Sequence, residues 1–307
     1  MGTSREEVRR ELRVYMTRTG IDLHQIADRI GFAHRSLIQF ASSGRYGAGD
    51  GELTAATLRE FMSSHPWEPP ALPGHLYETA ATRDMDDLIA YCRKGRWATL
   101  YGPAGAQKSF LLEYRAAEAA REAEPGLVWI PIPGRMTPAA ILRYISKTVA
   151  APYAQSGDAL RQSIIYTARA RRSPLVLALD EMDLIEKDID TLETLRRLGD
   201  LLRGKLGMIV AGNEQILSLF NPRKGHYFEQ WRSRIEQREV RVLGPTRDEA
   251  RRMLIAELGG GTSTQIEGTL DDCTVTDPLT RKKYINARRM FFAIADIRER
   301  REKRKSN

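Results

Sequence analysis

Eight consecutive residues constrain this chain more than anything else in it. A short apolar run, Trp97–Tyr101, leads into Gly102-Pro103-Ala104-Gly105-Ala106-Gln107-Lys108-Ser109, and the pattern then turns helical from Ser109 to Ala123, with Phe110 in its first turn. Strand, tight loop, Lys-Ser and helix in this order is the layout of a phosphate-binding loop. Loop amides and the helix N-terminus point at phosphate, Lys108 neutralises it, and the Ser109 hydroxyl can ligate magnesium. The standard pattern has a glycine where this chain has Gln107, and that glycine lets the backbone come close to the phosphates. Taken alone, the stretch also fits an ordinary glycine-rich turn.

A second apolar run, Leu175–Leu179, ends in Asp180-Glu181, 72 residues after Lys108. Two carboxylates at a buried strand end suit phosphate chemistry, Asp180 to hold magnesium through water and Glu181 to polarise the attacking water. Such an ending is common by itself. Its separation from Lys108, with helices and a strand between, makes the pair specific. Met208–Ala211 then runs into Gly212-Asn213-Glu214, where Asn213 is placed to orient the same water. Further on, Trp231-Arg232-Ser233-Arg234-Ile235 precedes another strand, and Arg234 is in a position to reach a γ-phosphate held by a neighbouring subunit. A solvated basic helix end is the plainer alternative. Tyr284-Ile285-Asn286-Ala287-Arg288-Arg289 opens the last helix, with an arginine available to the nucleotide or simply part of a basic helix.

The chain has 307 residues, enough for about two globular units. The seam is His65–His75, HPWEPPALPGH, where prolines deny the backbone its helical hydrogen bonds. Residues 1–65 are expected to be all helix, 66–76 a linker, 77–244 an ATPase-like core, 245–297 a helical lid and 298–307 a basic tail. In the core, Trp97–Tyr101, Leu127–Ile132, Leu175–Leu179, Met208–Ala211 and Arg238–Leu243 read as strands. They alternate with the helical stretches Ser109–Ala123, Pro138–Val149, Asp158–Ala170 and Thr191–Arg203. This alternation predicts an α/β fold with a parallel sheet covered by helices on both faces. Asp248–Leu258 and Ala287–Arg301 would form the lid.

In the first unit Leu23–Phe40 fits a helix-turn-helix, after a helix marked by Val8, Leu12 and Tyr15 and before Leu53–Met62, which follows the turn Gly44–Gly51. Ala27 allows close helix crossing and Gly31 the turn; Ile26, Ile30, Leu37 and Phe40 face inward. His34, Arg35, Ser36 and Gln39 then face outward, with side chains suited to base edges and phosphates. Some folds of this kind serve only protein contacts. The formal charge is +8, and residues Arg281 to Asn307 carry all of it, with eleven basic residues against three acids. A neutral body with a basic end suggests a polyanionic partner. Arg300, Arg301, Lys303, Arg304 and Lys305 are the candidate phosphate contacts, in a tail expected to be mobile.

Two cysteines, Cys92 and Cys273, give neither a disulfide framework nor a zinc site. The charged start, MGTSREEVRRELRV, is not a secretory signal, and no apolar run is long enough to span a bilayer, so a cytoplasmic setting is expected. The order helix-turn-helix, Pro-rich linker, GPAGAQKS, LVLALDE, AGNE, SRI and NARRM resembles the phage Mu transposition protein B family, from about Arg5 to Arg298. The resemblance implies an AAA+ ATPase that uses ATP and Mg2+, assembles with itself on duplex DNA, captures it largely without sequence preference and stimulates a transposase. By position it implies phosphate and magnesium binding by Lys108 and Ser109, and a Walker B pair in Asp180 and Glu181. Asn213 becomes sensor 1, Arg234 the arginine finger and Arg288 sensor 2. Gln107 departs from the pattern and bears on the rate of hydrolysis more than on the fold. Two other functions remain compatible with the residues, a helicase or initiator loader of the same ATPase class, and a helix-turn-helix transcription regulator with a degenerate phosphate loop.

Overall fold

The computed structural model describes residues 5–19, 21–43, 51–68, 70–122, 124–149, 151, 154, 156–185, 187–220, 226–235 and 238–306. The expected turn at 44–50 and the side chains of Arg304 and Lys305 lie outside the described residues. Among the described residues no helix is long and apolar enough to cross a membrane.

Four helices come first: α1 (Arg5–Thr19), α2 (Leu23–Ile30), α3 (His34–Ser43) and α4 (Gly51–Ser64). The Asp22 carboxylate accepts from the Gln25 amide at 2.8 Å while the Gln25 side chain accepts from the Asp22 amide at 3.1 Å. This reciprocal cap fixes where α2 starts. Gly31, at φ 70, ends it in the left-handed region that residues with a β-carbon avoid. Ile26, Leu37 and Phe40 are fully buried with Leu12 and Leu58, whereas Ile30 is only partly covered.

The second unit runs α5 (Ala80–Cys92), β1 (Trp97–Tyr101), α6 (Lys108–Ala119), β2 (Leu127–Pro131), α7 (Pro138–Thr148), α8 (Gly157–Arg169), β3 (Leu175–Asp180), α9 (Ile189–Leu201), β4 (Leu206–Gly212), α10 (His226–Ile235) and β5 (Glu239–Arg241). The five strands form one parallel sheet in the order β2-β3-β4-β1-β5. Side chains alternate across it. Leu175, Leu177 and Leu179 pack with α7, α8 and α9, while Val176 and Ala178 pack with α5 and α6. Because both faces are buried, the strands read as unbroken apolar runs, and each fully buried Leu contributes about 1.5–3 kcal/mol.

After the sheet come α11 (Arg247–Leu258), α12 (Ser263–Cys273), a hairpin of β6 (Thr274–Thr276) and β7 (Lys283–Ile285), and α13 (Ala287–Ser306). Glu249 joins this lid to the core. Its carboxylate accepts from the Thr246 amide at the start of α11 and from the Ala80 amide at the start of α5, both at 2.8 Å. α13 runs without a break through residue 298, where the basic tail was expected to begin, to Ser306. The Arg301 guanidinium donates to the Leu258 and Gly260 carbonyls at 2.6 and 3.1 Å, and Arg298 donates to Glu257. These arginines satisfy carbonyls that the end of α11 leaves without partners, and that anchors the last turns of α13.

Candidate functional site

In a parallel sheet the residues that follow adjacent strands emerge together at the carboxyl edge, where ligands of open α/β sheets bind. Here β3, β4 and β1 are neighbours. Asp180-Glu181, Gly212-Asn213 and the loop Gly102–Lys108 therefore meet although they are far apart in the chain. They line a cavity of about 710 Å³, closed on the far side by Pro73–His75 and by Arg288, Phe291 and Arg298 of α13. A larger cavity, about 850 Å³, lies between α1 and α8 and holds none of these groups.

The Lys108 ammonium is buried and donates to the Gly102 and Pro103 carbonyls at 2.8 and 3.0 Å. Burial pushes its pKa below the usual lysine value, and Asp180 and Asp183 counter part of that. Gln107 adopts φ 68, the left-handed conformation that glycine supplies at no steric cost. The departure from the glycine pattern thus has a backbone cost of about 1–2 kcal/mol, beyond any effect on phosphate approach. Ser109 is exposed in the first turn of α6, with Phe110 next to it on the cavity wall.

Asp180 is almost fully buried. One oxygen accepts from Trp129 Nε1 at 3.2 Å and the other from the Glu181 amide at 3.0 Å. Glu181 itself is exposed to the cavity and held at φ 57. Two of the three side-chain-bearing residues at positive φ among the described residues, Gln107 and Glu181, thus line this cavity, in keeping with strain collecting at functional sites. Asn213 stands across from them and bonds to Asp183, through its amide at 3.1 Å and its Nδ2 at 3.3 Å. Asp183 was not among the expected site residues. It stands in the 3₁₀ segment Met182–Ile185 that follows β3 and reaches Asn213 at the end of β4.

The lid touches the loop directly. Asn286 Nδ2 donates to the Ala104 carbonyl at 3.2 Å, and the Ala287 amide donates to the Gly105 carbonyl at 3.1 Å. Gly105, at φ 82, has no room for a β-carbon, which would lie 2.4 Å from Asn286 Oδ1. Arg288 enters the cavity from the next position on α13. Below them Arg241 of β5 pairs with Glu214 and, at 2.7 Å, with Asp277. The Arg241 hydrogen bonds hold the Asp277 carboxyl well below its usual range. Neither Asn286 nor this network was expected from sequence, because partners so distant leave no local pattern.

Other expected residues lie elsewhere. Arg234, on α10, makes a two-pronged pair with Asp200 at 2.8 Å and lies 5.7 Å over the Trp97 ring, away from the cavity of its own subunit. On α3, His34, Arg35 and Gln39 are exposed and Ser36 is half-buried. His34 is engaged, with Asp28 Oδ1 at 2.5 Å and His24 Nδ1 at 3.0 Å. Lys303 pairs with Glu299 one turn back at 2.6 Å, and Arg300 is exposed. Arg301 is the exception to the expected phosphate contacts, being committed to lid carbonyls. Further exposed cations not expected from sequence lie on the core, in a stretch with no Asp or Glu between Glu124 and Asp158. Arg135, Arg143 and Lys147 are exposed there, the last two one turn apart on α7.

Residues 92–220 match the protein family described as AAA domain. Among solved structures the chain is similar to Orc1 of Aeropyrum pernix, solved in complex with DNA, at 18% identity and TM-score 0.55, over 76% of this chain and 63% of that one. It is also similar to Cdc6p of Pyrobaculum aerophilum, at 21% identity and TM-score 0.50, over 75% of this chain and 62% of that one. The chain has the AAA+ P-loop fold. It spans under two thirds of either structure's length. No curated protein matches it in sequence.

Proposed function

We propose that this chain binds and hydrolyses ATP, and that ATP drives its assembly on duplex DNA. The observation that carries the reading is the convergence of Lys108, Asp180, Glu181 and Asn213 on one cavity beside the Gly102–Ser109 loop. The residues fit a nucleoside triphosphate with magnesium. A buried ammonium bonded only to loop carbonyls can turn to phosphate. Magnesium keeps its waters and takes one or two protein oxygens, which here would come from Ser109 and Asp180, beside the phosphates. Bound there, it would neutralise charge developing on the phosphates. Glu181 would then polarise the attacking water, Asn213 would orient it, and Arg288 would contact the nucleotide from the lid. Arg234 would act in trans after leaving Asp200.

DNA binding rests on the exposed cations of two surfaces, Arg35 on α3 and Arg135, Arg143 and Lys147 on the core, with Arg300 and Lys303 adding to the field. The order of motifs along the whole chain supports a finer reading, in which the assembly captures target DNA and stimulates a transposase. The likeness to Orc1, solved with DNA, favours a second one, an initiator or helicase loader. Electron microscopy with duplex DNA and ATP, paired with ATPase assays, tests the core of the proposal. Wild-type protein should form DNA complexes only with ATP. Glu181→Gln should bind ATP normally, turn over at least about 100-fold slower and hold DNA longer. Faster disassembly of that variant would overturn the assignment of Glu181. Strand transfer by a transposase encoded beside the chain, against loading of a replicative helicase, separates the two finer readings.

A further inference from the structure

Asp183 has no part in the chemistry outlined above, yet three features tie it to that chemistry. It accepts two hydrogen bonds from one residue, Asn213, through the main-chain amide at 3.1 Å and the side-chain Nδ2 at 3.3 Å. The neighbouring strand end is bare, since a β-carbon on Gly212 would sit 2.5 Å from Asp183 Oδ1. Its charge also reaches Lys108, whose pKa it helps to raise against the effect of burial.

An ionised carboxylate can only accept, so the Asn213 atom facing it must be the amide nitrogen and not the oxygen. That choice settles which way the amide is turned. One Nδ2 hydrogen is used by Asp183, leaving Oδ1 and the second hydrogen for the cavity that Asn213 lines. Without Asp183 the amide would flip or swing, since Asn213 is otherwise exposed. We propose that Asp183 is a positioning residue that locks the Asn213 amide in the one orientation that serves the attacking water. The proposal rests on the reading of this cleft as an ATPase site. Misplacing a group that orients a reactant by about 1 Å can cost on the order of 100-fold in rate without changing ground-state binding.

The test uses full-length protein labelled with ¹⁵N in asparagine, where the Asn213 side-chain signals are those missing from Asn213→Ala. Asp183→Ala should move that pair and speed its exchange with solvent by about 10-fold or more. Asp183→Asn, which keeps one acceptor, should lie between Asp183→Ala and wild type. In turnover, Asp183→Ala should lower kcat by about 10- to 100-fold, while affinity for a fluorescent ATP analogue stays within about 2-fold. Combined with Asn213→Ala, it should add nothing to the kcat loss of Asn213→Ala alone. Unmoved amide signals in both Asp183 variants, or kcat losses that multiply, would overturn the proposal. A wild-type protein that does not turn over ATP would overturn the ATPase reading instead, and the amide signals would still decide whether Asp183 holds Asn213.

Discussion

The cleft at the carboxyl edge of the sheet and the basic end of α13 were both expected to meet phosphate, and they are built in opposite ways. In the cleft, strand order delivers the groups around the phosphate loop. Lys108, Asp180 and Asn213 each follow one of three adjacent parallel strands, and buried backbone fixes them. On α13 the cations are side chains on a helix surface, and tertiary partners decide which stay available. Arg301 is taken by the carbonyls ending α11, while Arg300 and Lys303 stay exposed, the latter beside Glu299 one turn back. Topology thus secures a site made from strand ends, whereas net charge alone does not identify which surface arginine meets DNA.

The largest effect belongs to the topological site. Lys108→Ala should raise the Kd for ATP by about 100-fold or more in an equilibrium titration, because the phosphates then lack a buried, charge-assisted hydrogen-bond donor. Unchanged affinity would break the comparison at its stronger end. Next come the exposed cations of α7. Arg143→Ala with Lys147→Ala should weaken DNA binding by roughly 10-fold and make the log–log salt slope shallower by about 1.8, near 0.9 for each phosphate that is no longer neutralised. ATP affinity should not move. Arg301→Ala should do the reverse of what its charge suggests, leaving the salt slope unchanged while removing about 1–2 kcal/mol of stability, seen as a fall in Tm of a few degrees. A shallower slope without a change in Tm would return Arg301 to the DNA-binding set. The smallest effect is expected from Gln107→Gly. Relief of left-handed strain is offset by the greater freedom of glycine in the unfolded chain, so stability should change by under about 1 kcal/mol. ATP should bind equally or more tightly, and a severe loss would give the glutamine side chain a role of its own.

The same contrast explains what could be read from sequence. The five strands and the helices between them are legible because apolar runs such as LVLALD, buried on both faces, differ from the amphipathic helices around them. Lys108, Asp180, Glu181 and Asn213 are legible because strand ends carry fixed positions relative to one another. α5 escapes a reading by pattern although Met85, Leu88, Ile89 and Cys92 give it a helical stripe, since its charged first half, ATRDMDD, masks the period. The hairpin β6–β7 has three residues in each strand, too few for a period. Asp183, Asn286 and the Arg241–Asp277 pair depend on contacts across the fold, and nothing adjacent to them in the chain announces those contacts. The partners of Arg298 and Arg301 at the end of α11 are hidden for a related reason, since charge density along the chain says nothing of what the charges meet.

Gly105 and Asn286 occupy almost the same space, one lacking a side chain where the other places its amide. The coupling runs one way. A lineage that gains any side chain at Gly105 must shrink or turn Asn286 in the same stroke, and α13 begins immediately after Asn286. A smaller residue at Asn286 meets no such obstacle, so related chains with a bulkier residue at Gly105 are expected to carry a changed residue at Asn286 but not the reverse, an asymmetry that an alignment of relatives can test without purifying any protein.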